Sequence, residues 1–215
     1  MARVETSQLL PYFFQSALST VEISALALLI GLVVASLAAS AKLSAIRPVR
    51  AVGQVYVSVM RGTPCLIQLF VLYFGGPQVG IKLEPFAAGV IGLGLNIGAY
   101  MAEGIRGAIM AVDRGQNEAA RTLGFSQSQT MRRVILPQAA RLMIRPLGVN
   151  TVALIKGSAL VSTISVAELT FTAQRFISTT YRPIEMCAIA GAFYMLMVFG
   201  VLRIVGALDA RFVQK

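Results

Sequence analysis

The chain has no histidine, no tryptophan and only two cysteines among its 215 residues. Without histidine, a haem or a structural zinc held by imidazoles is not expected, and we predict no metal site. Cys65 and Cys187 are far apart in the sequence and both lie in apolar stretches, so they form neither a CxxC motif nor a disulfide framework. Redox and thiolate–metal chemistry are therefore not expected of this chain.

Charged residues are also scarce. They make up 13% of the chain, whereas soluble domains carry roughly 25%. Hydrophobic residues make up 56%, and the mean hydropathy is +0.74. Uncharged runs over 23–41, 85–102 and 186–202 are each long enough to cross a hydrocarbon core of ~30 Å as a helix. We predict an all-α integral membrane protein with one domain (1–215) and five transmembrane helices, at about 13–41, 51–74, 85–112, 143–168 and 185–208.

Two of these spans are less regular than the others. Arg61 and Pro64 interrupt the second span, and Lys156 interrupts the fourth. The apolar part of the first span exceeds the roughly 7–15 residues of a signal-peptide core, and Glu5 and Glu22 precede that part. We therefore expect the first helix to be retained as a membrane span.

Lysine and arginine are distributed unevenly between the two sets of loops. Most follow spans one, three and five, and few lie in the other loops. The positive-inside rule then places the amino terminus outside, the carboxyl terminus inside and the loop at about 114–138 in the cytoplasm. The net charge of +10 fits this topology and contact with anionic lipid headgroups better than it fits nucleic-acid binding.

The loop at 114–138 is a polar, helix-forming segment between two apolar regions. It reads EAARTLG from Glu118 to Gly124 and VILP up to Pro137. Gly124 is suited to a left-handed turn after a helix, Ser126 and Gln129 have the spacing of a capping box, and Pro137 is expected to end or kink the second helix. The pattern predicts a helix–turn–helix.

Three functions are compatible with such a segment. It could be an interfacial amphipathic helix pair, a DNA-binding helix-turn-helix, or an element that transmits the push of a cytoplasmic partner into the membrane helices. The position between two membrane spans argues against DNA binding.

Four segments together resemble the polar amino-acid branch of the ABC importer permeases. They follow the order and spacing of that family and cover most of residues 50–170. The segments are the EAARTLG and VILP island, RGTP with QLF over 61–70, GAYMAE with RG over 98–107, and LVS with VAEL over 160–169.

The resemblance implies a type I ABC importer permease in the bacterial inner membrane. Such a subunit pairs as a homodimer or heterodimer, docks two cytoplasmic ATPases and receives a polar amino acid from an extracytoplasmic binding protein. ATP and Mg would be bound by the ATPases, because this chain has no G-x-x-x-x-G-K-[ST] phosphate loop and is not expected to be an enzyme. The residues that the resemblance assigns to ATPase coupling are Glu118, Ala119, Ala120, Leu123, Gly124 and Pro137.

The sequence departs from the family pattern at two positions. Val134 replaces the usual Ile, which is a conservative change. Many relatives carry Lys-Asp-Thr-Ser-Leu where this chain reads KGSAL over 156–160, so Gly157 replaces an Asp. The missing carboxylate disfavours a cationic substrate and is compatible with a non-binding subunit of a heterodimer.

Polar residues inside the predicted spans are the candidates for the substrate path. Lys156 could pair with a substrate carboxylate where Gly157 and Ser158 loosen the helix, or it could extend towards the interface or pair with a structural acid. Glu103 and Arg106 are three residues apart and can neutralise each other. Amide and hydroxyl groups in spans also serve as glue between helices. The candidates are Gln68, Asn96, Tyr100, Glu103, Lys156, Gly157 and Ser158.

Two other classes of function remain as alternatives. An ATP-independent secondary transporter or channel would keep its activity without an ATPase. A membrane-anchored scaffold or regulator would bind a cytoplasmic partner through the 114–145 loop without transport, and substitution of Lys156 would not affect uptake.

Overall fold

The computed structural model describes residues 6–213, and every regular element in that range is helical. Two π-helical turns at Val71–Gly75 and Met131–Ile135, and two 3-10 segments at Gly76–Val79 and Ser158–Ile164, extend or join the α-helices. The α-helices are α1 (Thr6–Leu43), α2 (Arg47–Gly62), α3 (Cys65–Phe70), α4 (Pro85–Met110), α5 (Arg114–Thr122), α6 (Gln127–Thr130), α7 (Leu136–Gly157), α8 (Leu169–Thr180) and α9 (Pro183–Val213).

Helices α1 and α4 form the centre of the bundle and run in the same direction. They approach closely because glycines line their contact. A Cβ atom added to Gly94 would lie 2.9 Å from Ile30 Cβ, and one added to Gly98 would lie 3.1 Å from the Gly31 carbonyl oxygen. Small residues allow such contact between membrane helices, where packing supplies much of the association energy. The larger apolar core is built around this contact.

The second predicted span is broken. Between α2 and the helical segment Cys65–Val79 the axis bends by 105°. The break falls at Thr63, which is extended (φ −120°, ψ 146°) because the ring of Pro64 disfavours the helical region for the residue before it. The sequence marked Pro64 as an interruption, but the structure shows that residues 51–74 do not form one straight helix.

The helix after the EAARTLG island is longer than predicted. A helical run extends from Gln127 through the π-helical turn and α7 to Ile164, so of the two outcomes predicted for Pro137, an end or a kink, the end does not occur. Pro137 follows the π-helical turn, in which the Leu136 N–H donates to the Met131 carbonyl five residues back. This altered bonding accommodates a residue that has no N–H of its own.

At its other end, α7 changes to 3-10 geometry between Gly157 and Ser158. This is the point at which the sequence predicted a loosened helix. The 3-10 segment ends at Ser165, which has a left-handed conformation (φ 67°).

Helix α8 lies in the stretch between the fourth and fifth predicted spans. Its buried residues pack with the first turns of α1 and α9 in a second apolar cluster that includes Phe13, Leu169 and Met186. Most of α9 is not covered by this chain, and large apolar side chains such as Leu196 and Phe199 are exposed along it. Such a surface suits contact with lipid or with another membrane subunit.

One end of the bundle carries most of the basic residues. We call it the basic end: α1, α4 and α9 finish there, α2 and α7 begin there, and α5 and α6 connect α4 to α7 across it. Four helices in the described range are long and apolar enough to cross a membrane, and the bent α2–α3 pair makes up to five.

Candidate functional site

Helices α5 and α6 form a tightly closed turn at the basic end. The Asp113 side chain accepts a hydrogen bond from Gly115 N (2.7 Å) and caps the start of α5. At the other end of α5, Phe125 N donates to Ala120 O (3.0 Å) and Gly124 N donates to Arg121 O (2.9 Å). These two bonds define a Schellman motif around a left-handed residue.

The sequence predictions for this turn are confirmed in detail. Gly124 has φ +79°, the left-handed conformation expected of it. Ser126 Oγ accepts from Gln129 N (3.3 Å), and Gln129 Oε1 accepts from Ser126 N (2.8 Å), which completes the capping box. The helix–turn–helix is therefore fixed by local hydrogen bonds.

One face of the α5–α6 turn is exposed, and the other face contains a buried residue. Glu118, Ala119, Leu123 and Gly124 are exposed, and Leu123 keeps 75% of its surface accessible. Ala120 is buried, with only 3% exposed. An exposed leucine and a carboxylate on a rigid, protruding turn form a surface that suits a protein partner.

The turn is also tied to the membrane helix that follows it. Gln138 Nε2, in the first turn of α7, donates to Gln116 Oε1 of α5 (3.1 Å). Pro137 is exposed beside this bond. A force on α5 can therefore reach α7 through a direct contact.

Amide side chains stabilise the break between α2 and α3. Gln68 Nε2 donates to Met60 O (2.9 Å), whose helical donor is missing because residue 64 is proline, and to Thr63 O (3.2 Å) and Thr63 Oγ1 (2.8 Å). Asn96 Nδ2 of α4 donates to Gln68 Oε1 (3.0 Å) and Met60 O (3.2 Å). Two of the predicted path residues, Gln68 and Asn96, thus hold the bent backbone in place.

A cavity of about 200 Å³ lies beside this amide pair. It brings together three of the candidates predicted from sequence, Asn96, Tyr100 and Gly157, and adds Asn150, which the sequence argument did not select. Asn150 was detectable as the amide between apolar residues in the fourth span. The other lining residues are Cys65, Leu93, Ile97, Ala153, Leu154 and Leu160.

A cation contacts Tyr100, one of the residues that line the cavity. The guanidinium carbon of Arg61, at the end of α2, is 5.2 Å from the centre of the Tyr100 ring. This is a cation–π contact, in which the ring face attracts the positive charge. Arg61 therefore has an aromatic partner on α4.

The remaining candidates lie in three different environments. Lys156 is exposed in the last turn of α7 and is not part of the cavity wall. Ser158 is fully buried and donates to Ile155 O (2.7 Å). Glu103 lies near the basic end, where it accepts from Arg106 (Nη2–Oε2 3.0 Å) and from Lys42 of α1.

The ion pair predicted between Glu103 and Arg106 is therefore present, and the structure adds Lys42 to it. The contact from Lys42 joins the end of α1 to α4, and sequence spacing could not show it because the two residues are 61 positions apart.

At the opposite end, a buried acid organises α8. Glu168 is fully buried, caps α8 by accepting from Phe171 N (2.8 Å) and accepts from the Tyr194 hydroxyl (2.7 Å). Thr20 of α1 accepts from Leu169 N (3.2 Å) next to it. Glu168 thus caps α8 and ties it to α9.

Within residues 6–213, no three His, Cys, Asp or Glu side chains lie close enough together to hold a metal ion.

Solved structures with this architecture are transporters. The chain superposes on a chain in a crystal structure of an amino acid ABC transporter with histidines, with a TM-score of 0.90, 38% identity and coverage of 98% of this chain and 100% of that one. It also has the fold of a chain in inward-facing MetNI methionine ABC transporter, with a TM-score of 0.77, 19% identity and coverage of 95% and 99%. The bundle therefore has the type I ABC importer permease fold.

Sequence comparison agrees. Over 181 residues the chain is 41% identical to the L-cystine transport system permease protein TcyB of Bacillus subtilis (strain 168), covering 84% of this chain and 77% of TcyB. It is 36% identical over 204 residues to the glutamine transport system permease protein GlnP of Escherichia coli (strain K12), covering 94% and 93%.

The chain belongs to the family described as "Binding-protein-dependent transport system inner membrane component", which matches residues 27–214. It is thus a multi-pass permease subunit of an ABC importer in the inner membrane of a bacterium, and it works with an ATPase, a second permease subunit and a binding protein. The predicted fold class, transport function and absence of an enzymatic role are confirmed by this family. An ATP-independent transporter is not favoured.

Proposed function

We propose that this permease imports a polar amino acid, that its basic end faces the cytoplasm, and that α5 is the coupling helix on which the partner ATPase acts. Polar amino acids are the cargo named for TcyB and GlnP. The excess of basic residues supports the orientation, with the amino terminus outside and the carboxyl terminus inside.

The observation that carries the coupling proposal is the combination of exposure and anchoring in the α5–α6 turn. Glu118, Ala119, Leu123 and Gly124 offer a docking face, while Ala120 is buried and the bond between Gln116 and Gln138 ties the turn to α7. Pro137 lies where this turn meets the membrane helix. We assign ATPase coupling to these residues.

The helix that follows the turn connects it to the candidate path. From Gln127 to Gly157 the chain is continuously helical, a length of about 45 Å at the usual rise per residue. This run ends where α-helix changes to 3-10 helix at Ser158. We infer that closure of two ATPases on ATP and Mg moves α5 and that α7 transmits the movement to the region of Lys156.

The cavity beside the broken span is our candidate for the substrate path. Asn96, Tyr100 and Asn150 give it hydrogen-bonding groups, and apolar residues form the rest of its wall. Gln68 positions Asn96 by accepting its hydrogen bond. Lys156, in the last turn of α7, is exposed on the surface of this subunit. A second permease subunit there would place Lys156 between the two halves, where it can attract a substrate carboxylate. Glu103 lies outside this region and is assigned a structural role.

Uptake by proteoliposomes tests the path. The permease is reconstituted with its partner ATPase and binding protein, and polar amino acids are screened for ATP-dependent accumulation. We expect one or a few to accumulate, and we expect Asn150→Leu to lower their uptake at least about tenfold, since a buried amide that bonds substrate is worth about 1.5 kcal/mol or more. Gln78→Leu, an exposed amide outside the cavity, is the control. Equal uptake by Asn150→Leu and wild type would show that the substrate does not pass through this cavity.

A further inference from the structure

A groove of about 390 Å³ lies between α7 and α9 at the basic end. It is distinct from the cavity beside the broken span and from the outer face of the α5–α6 turn. Its walls are apolar except for one guanidinium. The lining residues are Pro137, Ala140, Arg141, Ile144, Leu208 and Phe212.

Among residues 6–213, no acidic side chain forms an ion pair with the arginine in this groove. Four ion pairs occur within residues 6–213, and none of them includes Arg141. The acid nearest in sequence on the α9 wall, Asp209, already accepts two hydrogen bonds from Arg145 (2.9 and 2.7 Å). Arg133 and Arg211 flank the groove residues Pro137 and Phe212 in the sequence and add further positive charge. The groove therefore favours an anion.

The groove lies at the depth of lipid headgroups. The uncharged part of α9 ends at Arg203, and Leu208 and Phe212 lie about 7 and 13 Å beyond it along the helix. Towards the bilayer centre, α7 and α9 are in direct contact, since a Cβ atom on Gly148 would lie 2.7 Å from Val205. The groove is thus open only near the membrane surface, where a phosphate and the first carbons of acyl chains are found.

We propose that this groove binds one anionic phospholipid, whose phosphate pairs with Arg141 and whose glycerol and upper acyl carbons cover Ile144, Leu208 and Phe212. A free phosphate would leave these apolar residues in water, whereas a phospholipid satisfies both the charge and the apolar wall. Basic pockets between membrane helices bind anionic headgroups in this way.

The bound lipid would bridge α7 and α9 next to the turn that carries α5. The Arg145–Asp209 pair holds the same two helices together on the protein side. The lipid would therefore help to hold the first turns of α7 in place. Because it would do so whatever amino acid is transported, this proposal does not depend on the proposed substrate path.

Native mass spectrometry of the permease–ATPase complex tests the proposal. The complex is taken from nanodiscs that contain equal amounts of phosphatidylcholine and phosphatidylglycerol, and retained lipid is counted. We expect phosphatidylglycerol to be retained preferentially, and Arg141→Gln to reduce its retention about fivefold, the effect of one arginine at an anionic surface. Arg141→Lys should keep most of the lipid, and Leu208→Trp, which fills the groove, should lose it.

Arg47→Gln is the matched control, because Arg47 is an exposed arginine at the same end that does not line the groove. It should retain as much phosphatidylglycerol as the wild type. Equal retention of the two lipids by the wild type, or unchanged retention in both Arg141→Gln and Leu208→Trp, would overturn the proposal. If Arg141→Gln loses the ATPase while lipid retention is unchanged, the groove is a contact site for the ATPase and the lipid proposal is wrong.

Discussion

Gln68 and Asn96 show how single polar residues support a bent membrane span. The break before Pro64 leaves backbone carbonyls without helical partners, and inside a membrane such groups are costly unless another donor reaches them. The amide of Gln68 bonds to Met60 and Thr63, and Asn96 holds that amide in position. The break is therefore stabilised by the side chains of Gln68 and Asn96 as well as caused by Pro64.

Replacement of Gln68 by leucine should therefore destabilise the permease. The change keeps the size of the side chain but removes the donor to Thr63 O, one of the two donors to Met60 O and an acceptor of the Asn96 amide, at a cost of about 1–3 kcal/mol. Thermal unfolding in detergent would measure it as a lowered midpoint. Gln78→Leu, at an exposed position, should leave the midpoint unchanged. Equal midpoints for Gln68→Leu and wild type would show that the bend does not depend on this amide.

Gly124 is a second residue with a specific conformational role. Nothing lies within 4 Å of a Cβ atom placed there, so the cost of Gly124→Ala is the strain of the left-handed backbone, about 1 kcal/mol. We expect weaker binding of the ATPase, measured by co-purification. Gly107→Ala, in α4 with equally open surroundings, should bind the ATPase normally. If both variants bind alike, the shape of the turn is not what the ATPase recognises.

For single residues, sequence identified most of the polar groups and the partners that lie close in the chain, but not the distant partners. Gly124 and the Ser126–Gln129 capping box were predictable because their hydrogen bonds are local. The contacts of Asn96 with Gln68 and of Lys42 with Glu103 join residues 28 and 61 positions apart, and no sequence spacing specifies them.

At the scale of elements, the contact between α1 and α4 determines the shape of the bundle. A Cβ atom on Gly94 would meet Ile30 Cβ at 2.9 Å and Ala27 O at 3.1 Å. We expect Gly94→Ala to push the two helices apart and to lower the free energy of unfolding by about 1–3 kcal/mol. Gly191→Ala, on α9 with nothing within 4 Å, should have no such effect, and the two variants can be compared by thermal unfolding. If the Gly94→Ala protein unfolds at the same temperature as Gly191→Ala, the close contact between α1 and α4 does not determine stability.

The elements that sequence predicted best are the long, uncharged ones. α1, α4 and α9 each contain a run whose length and hydropathy specify a membrane helix. α8 has only 12 residues, without a long uncharged run, and its helix depends on burial against α1 and α9. Sequence left open whether Pro137 ends or kinks its helix, and the helix continues because a π-helical turn, which no sequence pattern indicates, accommodates the missing N–H.

For the whole molecule, the basic end is where separate helices are joined. Lys42 and Glu103 connect α1 to α4, and Arg145 and Asp209 connect α7 to α9. The turn carrying α5 spans the gap between α4 and α7. In this arrangement a force applied to α5 acts on both helix pairs, which is a requirement for moving the bundle as a unit.

The most direct test of the account is ATP-dependent amino-acid uptake by proteoliposomes that contain Glu118→Lys permease with its ATPase and binding protein. Reversal of the exposed charge on α5 should abolish productive docking, so that uptake falls at least about tenfold and the ATPase no longer co-purifies, while the thermal midpoint of the permease is kept. Glu185→Lys, an equal charge change at the opposite end, should still bind the ATPase. Full uptake by Glu118→Lys, or uptake that persists without the ATPase and follows an ion gradient, would contradict the account.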